Sequence, residues 1–139
     1  MMVYHEGTKD TKGTKERGLV VSQAVIGAAI EVHRELGPGL LESIYEKALV
    51  WELRQRRIRV NRQVPVALGY KGRRLDGHIR LDLLVDNALV VEVKAVDRLN
   101  PIHRAQLLTY LRLANYQVGL LINFNVELLK HGMRRLLNG

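Results

Sequence analysis

The spacing of apolar residues predicts two helices in the first part of the chain. From Leu19 to Leu36 apolar residues recur every three or four positions, which is typical of a helix with one buried face. Gly37-Pro38-Gly39 follows, and glycine and proline together end a helix. A second stripe with the same period predicts a helix from Leu41 to about Arg57.

After these helices the period changes from about 3.6 to 2, which is typical of strands. The alternation predicts strands over Ile58–Tyr70, His78–Val85 and Ala88–Val96, paired as a meander. Pro65 requires an irregular or edge position in the first strand, because proline cannot donate to a sheet ladder. The third strand is almost continuously apolar, which indicates a central strand covered on both faces.

The last third of the chain predicts a helix, a strand and a helix. Asn100-Pro101 is a good helix start, and this helix is expected to run to about Ala114. A strand is expected over Tyr116–Asn123 and an amphipathic helix over Val126–Leu137. The helix between the third and fourth strands predicts that these strands are parallel. The fold class is therefore α/β, with a mixed four-stranded sheet flanked by helices.

Three charged residues interrupt the apolar strands. Asp82 lies in the second strand, and Glu92 and Lys94 lie in the third, where an unpaired charge is costly. Glu92 and Lys94 point the same way, because residues two apart on a strand share a face. A two-residue loop at Asp86-Asn87 would put Asp82 on the opposite face, whereas a three-residue loop over 86–88 would bring Asp82 beside Glu92. The sequence leaves both registers open, and a shared site requires the odd-length loop or a bulge.

Two carboxylates and an ammonium on one sheet face suit a divalent cation that acts on a phosphate. Carboxylate oxygens are preferred by Mg²⁺, and a neighbouring lysine could orient a water molecule. A salt bridge between Lys94 and Asp82 or Glu92 on a solvated face explains the same residues equally simply. Other residues admit two interpretations as well. Glu42 could be an ordinary first-turn acid, and Gln106 and Tyr110, which are four apart on one helix face, could be a boundary pair.

Composition narrows the class of protein. The chain has 139 residues, a formal charge of +8 and no cysteine, which excludes disulfide scaffolds, cysteine-ligated metals and thiol nucleophiles. No apolar run approaches the roughly 20 residues of a membrane span, so a cytoplasmic protein without a membrane partner is expected. Residues 1–18 are polar and predict a flexible tail before one domain over residues 19–139.

A cluster of basic residues favours a polyanionic partner. The arginines expected to contact phosphates are Arg54, Arg56, Arg57 and Arg59, with Arg62 close behind and Lys71, Arg73 and Arg74 in the next turn. A solvated helix end is the alternative, because basic residues also suit a helix C-terminus. The five arginines over 54–62 follow the helix that carries Glu42, which predicts a basic flank beside the acidic residues.

Several separated blocks resemble a known family. The arrangement of Asp82 followed by Glu92-x-Lys94 on the next strand resembles the PD-(D/E)XK nuclease superfamily. Gly39-x-x-Glu42-x-x-Tyr45, together with R-L-D-L-L-V, V-E-V-K and P-I-H-R-A-Q-L-L-T-Y-L, is similar to the GxxExxY family within it. The likeness covers about residues 20–135, and Leu81 stands where the superfamily pattern has proline.

The resemblance implies a three-layer restriction-endonuclease-like core, αβββαβ, with Mg²⁺ or Mn²⁺ at Asp82 and Glu92. It also implies the Val93 carbonyl as a further metal ligand, Glu42 as a supporting acid, and Lys94 beside the attacking water. Gln106 and Tyr110 match a motif of RecB-like members and would contact nucleic acid. The expected function is hydrolysis of phosphodiester bonds in nucleic acid, DNA rather than RNA. A catalytically silent binding module with this fold and a homodimeric interaction protein are the alternatives.

Overall fold

The computed structural model describes residues 11–75 and 79–139. Residues 1–10 and 76–78, which include the start of the strand predicted from His78, lie outside the described residues. The elements are α1 (Thr11–Leu36), α2 (Glu42–Gln55), β1 (Val60–Pro65), β2 (Leu68–Tyr70), β3 (Arg73–Leu75), β4 (Arg80–Val85), β5 (Leu89–Lys94), α3 (Pro101–Ala114), β6 (Val118–Asn123), a 3₁₀ turn (Leu129–Gly132) and β7 (Met133–Leu137).

A mixed sheet forms the middle layer, with strand order β1-β4-β5-β6-β7. β5 and β6 are parallel and are joined through α3, whereas the other neighbours are antiparallel. The predicted α/β class, the meander and the parallel crossover are therefore confirmed. β5 is central, as its apolar run predicted, and only Lys94 among its six residues is more than slightly exposed.

Each face of the sheet packs against helices. One apolar cluster joins α1 and α2 to the sheet, and Tyr45 and Phe124 stack in it with ring centroids 4.6 Å apart. The other cluster joins α3 to the opposite face through Leu107 and Leu111. This arrangement confirms the expected three layers. No helix in the described part of the chain is both long and apolar enough to cross a membrane.

The predicted C-terminal helix over Val126–Leu137 is wrong. A 3₁₀ turn and strand β7 occupy this segment, and β7 pairs with β6 from Ile122↔Met133 to Val118↔Leu137, so the sheet has five strands rather than four. All six residues of β6 are buried, so its backbone groups need partners on both sides. That tertiary requirement outweighs the weak helical period of the segment.

The single strand predicted over Ile58–Tyr70 is two strands. β1 ends at Pro65, and β2 pairs instead with β3 in a separate two-stranded hairpin. Pro65 is the last residue of β1, and one further backbone hydrogen bond follows it, from the Val66 N–H to the Ile79 carbonyl at 2.9 Å. The turn predicted at residues 71–74 is shorter, since Arg73 and Arg74 belong to β3.

The first helix starts earlier than the predicted tail allows. α1 begins at Thr11, so residues 11–18 are helical, whereas residues 1–10 are not described. Gly18 allows this early part of the helix to lie against the sheet. A Cβ at this position would lie 2.7 Å from the carbonyl oxygen of Ala88. The helix therefore packs closely on the β4–β5 turn, and Thr14 is also buried. The pattern of polar residues concealed this contact.

Candidate metal and phosphodiester site

The loop between β4 and β5 has the length that a shared carboxylate site requires. Residues 86–88 form a three-residue turn, and the register runs from Val85↔Leu89 to Leu83↔Val91. Extended by one residue, this register sets Asp82 opposite Glu92. Asp86 and Asn87 have φ angles of 51° and 49°, a left-handed conformation that Asp and Asn tolerate better than most residues. The odd-length alternative is the correct one.

The backbone pairing of β4 with β5 ends just before the two acids. The next backbone N–H groups donate to the acid side chains instead. The Asp82 N–H donates to Glu92 Oε2 at 2.9 Å, and the Val93 N–H donates to Asp82 Oδ2 at 2.8 Å. β5 itself stays paired with β6 as far as Lys94. Each carboxylate is thus fixed by the other strand's backbone. Among the described residues, the second oxygen of each has no hydrogen-bond partner.

Burial and neighbouring negative charges disfavour the ionised form of both acids. Burial raises the pKa of Asp82 from 3.8 to about 6, the charges of Glu46 and Glu42 add to the increase, and the bond from Val93 opposes it. Burial likewise raises the pKa of Glu92 from 4.5 to about 8, with the charge of Asp82 as the next cause. Glu92 is only 4% exposed. Two crowded, desolvated carboxylates favour a cation between them.

The donor set fits a small, hard cation. Within the described residues, no group of three or more Asp, Glu, His or Cys side chains is placed to hold a metal ion. Asp82 and Glu92 as metal ligands stay a prediction. Mg²⁺ is commonly held by one or two carboxylates and retains several waters for substrate phosphates to replace. The carbonyl of Val93 as a further ligand stays a prediction.

A chain of hydrogen bonds leads from β5 to α3. Lys94 Nζ donates to Gln106 Oε1 at 3.2 Å, and Gln106 Nε2 donates to the Tyr110 hydroxyl at 3.2 Å. The predicted face of α3 therefore contacts the lysine. Burial raises the pKa of Tyr110, and the negative charge of Glu92 is the second cause. The chain fixes the Lys94 ammonium beside the carboxylate pair.

The start of α2 is fixed by the tyrosine of the Gly39-x-x-Glu42-x-x-Tyr45 motif. The Tyr45 hydroxyl donates to the Gly37 carbonyl at 2.5 Å and accepts from the Leu40 N–H at 3.1 Å, while its ring is fully buried. Gly39 has a φ of 102°, which a side chain would disfavour. Glycine and tyrosine thus shape the turn. Glu42 is exposed at the first position of the helix, where its charge acts on Asp82.

Glu46, one turn after Glu42, is a site residue that the sequence analysis missed. It is 4% exposed, accepts from Arg62 Nε at 2.5 Å, and accepts from Gln63 Nε2 at 2.9 and 3.1 Å. Its charge raises the pKa of both Asp82 and Glu92. The available signal was an acid four residues from Glu42, and therefore on the same helix face, beside the apolar stripe.

Gln63 has an unusual backbone for a strand residue. Its φ is 55°, in the left-handed region, and the β1–β4 register, which places Arg62 opposite Leu83, sets Gln63 opposite Asp82. Side chains normally alternate along a strand, yet Arg62 and Gln63 both bond Glu46. The left-handed residue breaks the alternation, and both side chains consequently hold the same buried acid.

The arginine cluster lies away from the acids. Arg54 and Arg56 are at the last turn of α2, about 18 Å along the helix from Glu42 at 1.5 Å per residue. Arg59 lies within 3.8 Å of Asp86, in the turn at the other end of β4 from the acids. The sequence analysis expected these arginines and Arg57 to form a basic flank beside the acids. The structure does not place them there. Arg62 is the exception, because it donates to Glu46, whose charge acts on Asp82 and Glu92.

Comparison with known families agrees with the fold. Residues 20–136 match the PD-(D/E)XK nuclease superfamily, and the chain belongs to it. The mixed sheet between helices is the restriction-endonuclease-like fold of this class. No curated protein and no solved structure matches the chain significantly.

Proposed function

We propose that the protein is a divalent-metal-dependent nuclease that hydrolyses phosphodiester bonds in DNA. Superfamily membership supports nuclease activity on a nucleic acid. The observation that carries the proposal is the buried pair of Asp82 and Glu92, which is fixed by crossed backbone bonds with Lys94 two residues further on. We also place the chain in the GxxExxY group on its Gly39, Glu42 and Tyr45 motif.

The residues have separable roles in this proposal. Asp82 and Glu92 would hold Mg²⁺ or Mn²⁺, with the Val93 carbonyl and Glu42 in support. The cation supplies charge stabilisation at a phosphoryl oxygen and makes a bound water more acidic. The Lys94 ammonium, oriented by Gln106, places a positive charge where negative charge develops and orients the attacking water.

Cleavage of labelled single- and double-stranded DNA and RNA, with and without Mg²⁺ or Mn²⁺, tests the proposal. Asp82→Asn and Lys94→Ala should each lower the rate by at least about 100-fold, because each removes a group acting on the reacting phosphate. Two control variants remove exposed charges: Glu127→Gln removes a negative charge, as Asp82→Asn does, and Lys130→Ala removes a positive charge, as Lys94→Ala does. Both should leave the rate unchanged.

Absence of metal-dependent cleavage by the wild type would reject the enzyme, as would wild-type rates in both site variants. Salt-dependent binding without cleavage would identify the silent binding module instead. A stable dimer that binds no nucleic acid at low salt would favour the homodimeric interaction protein. A cytoplasmic location stays a prediction.

A further inference from the structure

The β2–β3 hairpin stands apart from the main sheet. Its strands pair only with each other, from Leu68↔Leu75 to Tyr70↔Arg73. Lys71 and Gly72 form its turn with φ angles of 49° and 80°, the positive values of the primed turns that suit two-residue hairpins. Every residue from Gly69 to Leu75 is exposed. Packing against the core therefore does not explain this element.

The exposed surface of the hairpin is basic and carries an aromatic ring. Lys71, Arg73 and Arg74 form no ion pair with an acid among the described residues, and Arg80 follows at the start of β4. Lys71 Nζ lies 5.3 Å from the centroid of the Tyr70 ring, which is 57% exposed. By contrast, Arg56 and Arg59 at the other end of the molecule lie close to acids. The hairpin cations are available to an external anion.

The hairpin leaves the fold at the end of the sheet that carries the acids. β1 ends at Pro65 and β4 begins at Arg80, and these two residues are paired. Asp82 lies two residues further along β4, roughly 6.6 Å away at the rise of a strand. The chain thus leaves the main sheet towards the hairpin within two residues of Asp82.

We propose that the β2–β3 hairpin is a docking arm for duplex DNA, which it contacts in the major groove and on the adjoining phosphates. The major groove of B-form DNA is about 12 Å wide and admits a two-stranded ribbon, whereas the A-form groove of double-stranded RNA is too narrow. Lys71, Arg73 and Arg74 contact phosphates on its rims. The placement of the scissile bond beside the arm rests on the proposed nuclease function, but binding by the arm does not.

The test compares two triple variants with equal loss of charge. The arm variant is Lys71→Ala/Arg73→Ala/Arg74→Ala, and the control is Lys15→Ala/Arg112→Ala/Lys130→Ala, which removes three exposed cations elsewhere. Affinity for a 20-base-pair DNA duplex is measured by fluorescence anisotropy in EDTA over a range of salt concentrations. EDTA prevents metal-dependent cleavage, so binding is measured whether or not the protein is a nuclease.

The arm variant should bind the DNA duplex at least about ten-fold more weakly at low salt, and the slope of log affinity against log salt should become shallower by roughly three. The control should change the slope by less than about one. Equal behaviour of the two triples would overturn the arm. An equal loss of affinity for an RNA duplex or a single strand would overturn the assignment to duplex DNA.

Circular dichroism checks that both variants are folded, and a Gln triple at positions 71, 73 and 74 repeats the test without shortening the side chains to Ala. If the wild type binds DNA through the arm but cuts nothing, the arm stands and the proposed nuclease fails. If it cuts DNA at the same rate with and without the arm cations and binds equally, the nuclease stands and the arm fails.

Discussion

The left-handed backbone at Gln63 is the clearest single-residue departure from ordinary strand geometry. A residue with a Cβ is disfavoured at a φ of 55°, whereas glycine adopts it freely. Gln63 lies opposite Asp82, and its amide donates to both oxygens of Glu46. We interpret the backbone strain at Gln63 as a consequence of holding Glu46 at the site.

This interpretation predicts an inverted order of stability for two substitutions. Gln63→Ala and Gln63→Gly both lose the bonds to Glu46, but only glycine relieves the backbone strain. Gln63→Gly should therefore be the more stable by about 1 kcal/mol in urea denaturation. At an ordinary strand position such as the exposed Asn61, the Ala variant should be the more stable. The same order at both positions would contradict the strain.

At the residue scale the sequence predicted the central acids because charges inside apolar strands are rare enough to be conspicuous. Asp82, Glu92 and Lys94 were identified in this way, and Gln106 and Tyr110 were placed on one helix face by their spacing. Glu46 was missed because its environment is created by β1, which is remote in sequence. The left-handed Gln63 that holds it leaves no local signal.

At the scale of elements, Gly18 and Gly27 of helix α1 lie in different surroundings. A Cβ at Gly18 would lie 2.7 Å from the Ala88 carbonyl oxygen, whereas a Cβ at Gly27 would meet only the flexible Arg56 side chain at 3.4 Å. Alanine favours a helix over glycine by about 1 kcal/mol.

Gly27→Ala should therefore stabilise the protein by roughly 0.5–1 kcal/mol, while Gly18→Ala should destabilise it by about 1–3 kcal/mol through the backbone clash. Chemical denaturation of both variants measures the free energies of unfolding. Stabilisation by Gly18→Ala would mean that the start of α1 does not pack against the β4–β5 turn.

Strand β7 offers a second test among the elements. Adjacent residues of a strand face opposite sides of the sheet, so its two neighbouring leucines should differ in environment. Leu136 is 6% exposed and Leu137 is 47% exposed. Leu136→Ala should cost about 2–4 kcal/mol and Leu137→Ala under about 1 kcal/mol in thermal or urea unfolding. Equal costs would contradict the observed alternation of the strand.

Elements whose pattern agrees with their environment were predicted well, and those decided by neighbours were not. α3 begins where Asn100-Pro101 indicated, and Asn100 N–H bonds His103 Nδ1 at 3.1 Å. β7 was predicted as part of an amphipathic helix over Val126–Leu137, but pairing with the buried β6 decided its conformation. The start of α1 likewise depends on Ala88, seventy residues away.

Over the whole molecule, the positions of charged side chains follow the sheet and not the order of the sequence. The formal charge of +8 suggested one basic flank, but the cations lie at both ends of the sheet and the buried acids at one. The Arg54–Arg59 cluster is adjacent to Glu42 only through the chain, since the helix between them keeps them apart. A long-range arrangement of this kind cannot be inferred from local density of charge.

The buried acids predict how the stability of the whole protein depends on pH. Both have pKa values raised in the folded state, to about 6 for Asp82 and about 8 for Glu92, so the folded protein retains protons that the unfolded chain releases at lower pH. Stability in EDTA should therefore be higher near pH 5 and fall towards pH 8.5, by several kcal/mol.

At pH 8 a divalent cation should reverse this loss, because it binds the ionised pair in the folded state and raises the free energy of unfolding in proportion to the logarithm of its concentration. Asp82→Asn still offers an oxygen to the Val93 N–H but removes one charge. Its stability should vary less with pH and should no longer respond to Mg²⁺ or Mn²⁺. Melting temperatures at pH 5, 7 and 8.5, with EDTA or with metal, measure both effects. Identical pH profiles for the wild type and Asp82→Asn would show that Asp82 does not contribute to the pH dependence of stability. An equal response of both to metal would show that these carboxylates are not the cation-binding pair.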